Sequence, residues 1–366
     1  MRVMMFFSIF LLFFFALHYL FYSRVIKKFL VSDEIKKRFT LLLGLNFIFN
    51  ILYVVGRYTD LINTPFYYLF SLSIGISFVL LLYLLVHEVL NLFHKTLKSV
   101  DISKRNFIKN SGDAALIALS TSYVSAGAYE GMKEPVVNIV EFNHFDFSIV
   151  QISDLHIGGL IDREFVKASV SKINALKPDI VFITGDLIDT ALEEIEDIVR
   201  ELESISAKHG IYYILGNHEY FHDPLQLIDF IKTTDITLLL NENVTIDALK
   251  LNVVGVTDRV GYRMGLLQPD IHKAFKACNS DYKTILLAHQ PKYIEELENY
   301  RPELILSGHT HGGQIWPFEY LVRLQQPYVK GLHKLSNGSH IYVNSGIGFW
   351  GPPMRLDSQA EIAYIV

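Results

Sequence analysis

A single cysteine, Cys278, occurs in 366 residues. That scarcity excludes an intrachain disulfide and a thiolate-rich zinc site, and it leaves the redox compartment open. Positive charge is also in short supply. With 33 Lys and Arg against 38 Asp and Glu, the net charge is −5, and no basic footprint for nucleic acid exists. Apolar side chains are what the chain has in quantity, 51% of it, and the excess lies before residue 131. The length accommodates one large domain plus a membrane segment.

Val3–Tyr22 is almost wholly Phe, Leu, Met and Ile, long enough for a bilayer core that needs ~20 apolar residues. A signal peptide would have a shorter apolar part ending in small residues. This run ends in His18-Tyr19-Leu20-Phe21-Tyr22, so an uncleaved span is expected. Further spans are expected at 39–58, 66–90 and 112–130. Asn46 and Asn50 share one face of the second, which predicts hydrogen bonds between helices rather than a transport site. Tyr67, Tyr68 and Tyr83 read as interface anchors of the third. The fourth is the most polar, with Ser120, Thr121, Ser122 and Ser125 inside it and Asp113 and Glu130 at its ends; Ser103–Lys109 before it reads as a basic loop.

Loop charge sets the expected orientation. Arg24, Lys27, Lys28, Lys36, Lys37 and Arg38 lie between spans one and two. Lys95, Lys98, Lys104, Arg105 and Lys109 lie between three and four, and only Arg57 between two and three. Basic loops stay in the cytoplasm, so four spans place the N-terminus and everything after residue 131 outside. Residues 1–131 are therefore expected to anchor the chain in the inner or plasma membrane of a bacterium, with an extracytoplasmic catalytic domain at 135–366.

From Val136 the pattern becomes α/β. Five short apolar runs each end in Asp, Asn or His: 147–152 before Asp154 and His156, 179–183 before Asp186, 211–215 before Asn217 and His218, 284–287 before His289, and 304–306 before His309 and His311. They describe a sheet whose carboxyl edge carries a site, where open α/β sheets bind ligands. Residues 162–176 and 191–207 have helical apolar spacing and read as crossovers. Strands at 244–246, 251–256, 340–343 and 361–366 suggest a second sheet.

Asp-x-His, Gly-Asp, Gly-Asn-His-Glu, His and Gly-His-Thr-His, in that order, resemble the calcineurin-like metallophosphoesterase superfamily. Ala288-His289-Gln290-Pro291, Gly312-Gly313-Gln314 and Gly346–Pro353 are similar to its membrane-anchored branch. The resemblance implies two packed mixed β-sheets flanked by helices. It implies that Asp154, His156 and His311 hold one metal, that Asn217, His289 and His309 hold another, and that Asp186 bridges them. A water between the metals would lose its proton and attack phosphorus, with His218 stabilising phosphoryl charge and protonating the leaving oxygen. The donors are nitrogen and oxygen without sulfur, which suits Mn, Fe, Zn or Ni and does not choose among them.

Three other side chains are substrate-binding candidates. Arg355, after Pro352-Pro353, suits a bidentate phosphate contact or a structural ion pair. Trp316 and Trp350 sit in apolar loops after site motifs, as pocket wall, membrane contact or lid. Glu219 reads as a helper behind the ligands, and Asp258-Arg259 as a turn with a local ion pair. The expected partner is a phosphate ester, diester or pyrophosphate before monoester, with lipid-linked substrates included. The alternatives are a UDP-diacylglucosamine-type pyrophosphatase of lipid A synthesis and a non-enzymatic membrane sensor.

Overall fold

The computed structural model describes residues 2–56, 59, 65–96 and 101–366; Arg57, Tyr58 and Lys98 lie outside that set. The chain divides into two compact units, Met1–Tyr129 with Gly351–Met354, and Glu130–Trp350 with Arg355–Val366.

The first unit is helical: α1 (Arg2–Arg24), α2 (Asp33–Gly56), α3 (Tyr67–Thr96) and α4 (Ile102–Gly131). Its buried stripes follow helical spacing. Leu17 and Phe21 of α1, with Val25 just after it, meet Leu43 of α2 and Tyr83 and Leu84 of α3. Polar groups also lie inside. Asn46 Nδ2 donates to His18 Nε2 and to Ser77 Oγ, Asn50 Nδ2 donates to Ser77 Oγ, and Ser73 Oγ donates to Asn50 Oδ1. Both asparagines thus join helices, as their spacing predicted. Outward-facing residues such as Leu12, Phe13, Leu41, Leu42 and Leu85 are apolar and exposed. Polar inside and apolar outside is the polarity that a lipid surrounding demands.

Three helices, over Phe7–Lys28, Asp33–Gly56 and Tyr67–Phe93, are long and apolar enough to cross a membrane. The fourth expected span differs. It forms the latter part of α4, but α4 is not among those three, because its hydroxyl residues and early charges dilute the apolar run. The stretch read as a basic loop is the first part of the same helix. Asp101 caps it by accepting from Ser103 N and Lys104 N. Tyr67 and Tyr83 are buried against Tyr53 and Phe21, not placed as interface anchors.

The second unit runs β1 (Val136–Val140), β2 (Ile149–Ile152), α5 (Arg163–Leu176), β3 (Ile180–Thr184), α6 (Leu192–Val199), β4 (Ile211–Ile214), α7 (Pro224–Ile231), β5 (Ile236–Leu238), β6 (Glu242–Ile246), β7 (Leu251–Gly255), α8 (Val260–Met264), α9 (Ile271–Ala274), β8 (Lys283–Leu287), β9 (Leu304–Ser307), α10 (Glu319–Val322), β10 (Gly331–Lys334), β11 (His340–Val343) and β12 (Glu361–Ile365). Two six-stranded mixed sheets result, ordered β1-β12-β2-β3-β4-β5 and β10-β11-β9-β8-β7-β6. The five site-bearing strands do not share one sheet: β2, β3 and β4 lie parallel in the first, β8 and β9 in the second.

Period-two burial builds three layers. Ile180 and Phe182 of β3 pack with Ile285 and Leu287 of β8 and with Leu304 and Leu306 of β9 in a core between the sheets. Val181 and Ile183 face the other way, toward Val166, Val170 and Ile173 of α5 and Leu227 and Ile231 of α7. Leu286 and Ile305 face a third cluster with Ile271 of α9 and Tyr293. Strands buried on both faces read as continuous apolar runs, as these do.

Candidate metal centre

Every sequence-predicted donor emerges just past the carboxyl end of a strand. Asp154 and His156 follow β2, Asp186 follows β3, Asn217 follows β4, His289 follows β8, and His309 and His311 follow β9. Asp154, His156 and His311 offer donor atoms within 4.8 Å of one another, as do Asp186, His289 and His309. His156 Nε2 lies 3.0 Å from His311 Nε2, and His311 Nε2 lies 3.5 Å from Asp154 Oδ1. His289 Nε2 is 3.2 Å from Asp186 Oδ2 and 3.2 Å from Asn217 Oδ1. Asp186 Oδ2 is also 3.9 Å from His156 Nε2, so one carboxylate faces both groups.

The backbone is bent to achieve this. Asp154, His156, Asp186, His309 and His311 have φ of 53°, 50°, 51°, 70° and 49°. A left-handed conformation costs a non-glycine residue on the order of 1–3 kcal/mol, and such residues cluster where function over-determines the geometry. Two glycines make the approach possible. A Cβ on Gly216 would lie 2.2 Å from Asp186 Oδ1, and one on Gly308 would lie 2.3 Å from Asp154 Oδ2.

The fit to cations is testable on this geometry. Burial, reinforced by the neighbouring His156, holds the His311 imidazole well below its usual range. Burial and His289 push His309 down to about 3. Both keep neutral rings with a free lone pair at neutral pH. His289 Nδ1 donates to the Thr184 carbonyl at 2.7 Å, which leaves its Nε2 to face Asp186 and Asn217. Burial alone would raise the Asp186 carboxyl, but the His289 and His218 imidazoles hold it well below the ordinary range. Facing nitrogen lone pairs and carboxylates converge here on points that only positive charge satisfies, and the residues fit two transition-metal ions.

His218 stands beside this set and, with His156 and Asp189, forms a third group of donor atoms within 4.8 Å of one another. Its backbone N donates to Asp186 Oδ1 at 2.8 Å, and its Nε2 remains 4.0 Å from Asp186 Oδ2. Its Nδ1 donates to Asp189 Oδ1 at 2.6 Å. Burial opposes protonation, but Asp186 and the hydrogen bond to Asp189 outweigh it and push His218 up to about 9. Asp189 was not singled out from sequence; its signal was the second acid in Gly185-Asp186-Leu187-Ile188-Asp189. Glu219 accepts from Gly216 N, Leu187 N and Asp186 N, which ties the Asp186 and Asn217 loops together.

The remaining candidates fall elsewhere. Arg355 is 1% exposed, and its guanidinium donates to the carbonyls of Ser345, Gly346, Gly348 and Ser358. It braces the loop behind the site, since a Cβ on Gly346 would lie 2.9 Å from Asp154 Cβ. A bidentate phosphate contact is at odds with that arrangement. Asp258 receives Gln290 Nε2 rather than Arg259, whose Nε pairs with Glu296 at 2.7 Å. Trp350 and Phe221, both about half exposed, flank His218 with ring centroids at 6.4 Å and 5.4 Å. Gln314 holds Trp350 from both sides, donating to its carbonyl and accepting from its N. Trp316, also about half exposed, donates from its N to the Leu356 carbonyl.

Two donor groups facing one carboxylate, at the edge of a two-sheet α/β sandwich, suit a dinuclear hydrolase of phosphate esters. The family model for calcineurin-like phosphoesterases matches residues 147–313. An uncharacterized metallophosphoesterase of Helicobacter pylori is 36% identical over 305 residues, 81% of this chain and 82% of that one. Another from Campylobacter jejuni is 31% identical, with 94% and 93% covered. A bovine "transmembrane protein with metallophosphoesterase domain" is 33% identical, with 69% and 62% covered. The chain belongs to the calcineurin-like phosphoesterase family, a dimetal-dependent family of hydrolases.

Metal analysis after exhaustive dialysis is expected to find roughly two transition-metal ions per chain. Asp186→Asn is expected to lose both. Gly216→Ala, which adds one methyl group against Asp186 Oδ1, is expected to lose metal nearly as completely. Retention of both ions in Gly216→Ala would show that the close approach does not position the carboxylate.

Proposed function

We propose that this chain is a membrane-anchored dinuclear phosphoesterase that cleaves a phosphodiester or pyrophosphate, with lipid-linked phosphates as its substrate class. Asp154, His156 and His311 would hold one ion, Asn217, His289 and His309 the other, and Asp186 both. When bound, two such ions supply Lewis acidity, which acidifies water and neutralises phosphoryl charge. The chain's own contribution beyond the donors is the His218–Asp189 pair. Asp189 fixes the His218 ring through Nδ1 and helps keep it protonated, so Nε2 can hold a proton for a departing oxygen at neutral pH. Arg355 acts as the brace described above, not as a phosphate ligand.

The observation that carries the substrate class is the apolar rim. Trp350 and Phe221 stand over the one site imidazole outside the donor set, where a strictly soluble phosphate ester would be served by polar groups. Three helices of membrane-spanning length on the same chain, and relatives named as transmembrane, support a substrate that is itself in a bilayer. The bacterial inner or plasma membrane is the setting proposed from the bacterial relatives.

Orientation depends on α4. Asp113 is buried and pairs with Lys109 at 2.6 Å and His87 at 3.4 Å, so the carboxylate within this helix is neutralised inside the helical unit. We take α4 to cross on that ground, which puts the catalytic unit opposite the basic loops. The three-span count favours a second reading. It would leave the catalytic unit beside the basic loops, in the cytoplasm, where a UDP-diacylglucosamine-type pyrophosphatase would work.

Three outcomes test these statements. Lipid-linked phosphodiesters are expected to be cleaved with higher kcat/KM than soluble esters of the same head, and the preference is expected to vanish in Trp316→Ala/Trp350→Ala. Equal turnover of soluble nucleotides would overturn the substrate class.

His218→Asn is expected to lose ~10²–10⁴ in rate on an alkyl phosphodiester, clearly less on a p-nitrophenyl ester, and no metal. The acid form of His218 is the active one, so wild-type activity on the alkyl ester should fall as pH rises through its pKa. That limb belongs at or below about 9, since bound cations favour loss of the proton. Equal losses on both esters would make His218 a charge stabiliser only.

The third outcome concerns topology. Cys278 is the only thiol, and a membrane-impermeant maleimide is expected to label it in intact cells, or in spheroplasts where an outer membrane is present. Labelling only after lysis, with denatured protein labelled throughout, would select the three-span reading.

A further inference from the structure

The segment that follows the last histidine pair presents a row of apolar side chains to solvent. Trp316 is 47% exposed, Tyr320 58%, Leu321 54% and Leu324 80%, and Phe318 is also exposed. Nine consecutive residues thus contain five large exposed apolar groups. Both ends of the segment are pinned. Trp316 N donates to the Leu356 carbonyl, while at the far end Gln326 accepts from Lys292 N and donates to Gln290 Oε1. Between the pins, α10 is a single turn closed by Arg323 N to the Glu319 carbonyl. The row is therefore held out by a fixed backbone rather than trailing as a loose loop. Contiguous exposed apolar surface of this kind marks a contact surface.

We propose that Trp316–Leu324 is an interfacial membrane contact, lying in the headgroup layer of the bilayer that holds the apolar helices. The composition selects lipid over protein. Trp and Tyr rings, apolar with one polar atom, favour headgroup level, and Phe318, Leu321 and Leu324 supply the part that enters the acyl boundary. Arg323 stands within the row and suits anionic headgroups, its aliphatic stem lying along the apolar face. Glu319 is the one carboxylate in the row, and its Cβ packs toward Gly313 of the site turn. The chain also carries its own spans, so a bilayer is tethered to this surface at an effective concentration that a soluble partner does not match. The consequence concerns the site. Gln314, two residues before Trp316, is bonded to Trp350, whose ring faces His218. Seating this row in the headgroup layer brings that rim to the depth of phospholipid phosphates.

The contact is read by fluorescence, so its failure is separable from failure of the lipid-substrate reading, which is read by turnover. The chain has two tryptophans, and Trp350→Phe leaves Trp316 as the sole emitter. The full-length variant is reconstituted in phosphatidylcholine–phosphatidylglycerol vesicles with and without dibrominated acyl chains. At a depth of ~5–10 Å, Trp316 is expected to lose about half its emission to the brominated lipid and to be shielded from aqueous acrylamide. A second measurement avoids any effect of the Trp350 change: an environment-sensitive fluorophore on Leu324→Cys in a Cys278→Ser background should shift its emission to the blue on reconstitution. Quenching by acrylamide without quenching by brominated lipid would overturn the proposal, as would an unshifted label at 324. Protection from both quenchers would also overturn it, by assigning the row to a protein partner or a second copy.

Discussion

Lone pairs from carboxylates, an amide and imidazoles have to converge in a space from which water is largely excluded, and the catalytic unit is built around that requirement. Donors gathered this way repel one another and lose hydration, so they are stable only against positive charge. The requirement explains the left-handed backbone at five of the donors, the glycines pressed against Asp154 and Asp186, and the bonds behind them. Thr184 O holds His289, Ser358 Oγ donates to His311 O, and Asp154 receives His309 N. Each fixes a donor before any ion arrives, so little reorganisation is left for binding.

Two sheets serve this better than one. Neighbouring strands lie ~4.8 Å apart and packed sheets ~10 Å apart. A single sheet edge sets donors along a line, whereas two facing edges surround a point. The sheets are joined just beneath it: Gln151 Nε2, on β2, donates to Thr184 Oγ1 of the same sheet and to the Ser307 carbonyl of the other. A buried glutamine in an otherwise apolar strand has that bridging as its reason.

The donors were legible in the sequence because each carries a local signature, an apolar strand that stops at Gly, Asp, Asn or His. The helix-joining role of Asn46 and Asn50 was legible for the same reason, one face of one helix. What the sequence hid was non-local. Asp189 meets His218 across 29 residues, so the second acid of its segment is readable but its partner is not. Arg355 was read from its place after Pro352-Pro353 as a phosphate contact or a structural ion pair, yet its Nη groups donate to backbone carbonyls of one loop. Assignment of β8 and β9 to the second sheet depends on pairing with β7 and β11, which apolar runs of similar composition do not specify. Hydropathy along α4 also does not show that Asp113 pairs with His87 and Lys109.

The site's histidines show how one residue type divides its work by surroundings. His311 is buried and His309 half-buried, both near other imidazoles, and desolvation and that neighbouring charge push both toward the neutral form. His218 is buried as well, but two carboxylates reach it, and their attraction exceeds the desolvation penalty. His289 also faces Asp186 and is raised by it despite burial, so charge alone does not separate a proton donor from a ligand. Position does. His289 Nε2 sits 3.2 Å from both Asp186 and Asn217, inside the donor set, where a cation would replace its proton. His218 Nε2 stays 4.0 Å from Asp186, and its other nitrogen is committed to Asp189, although these two residues and His156 also bring donor atoms within 4.8 Å of one another. A proton on His218 Nε2 beside a phosphoryl oxygen is what the proposed acid role requires.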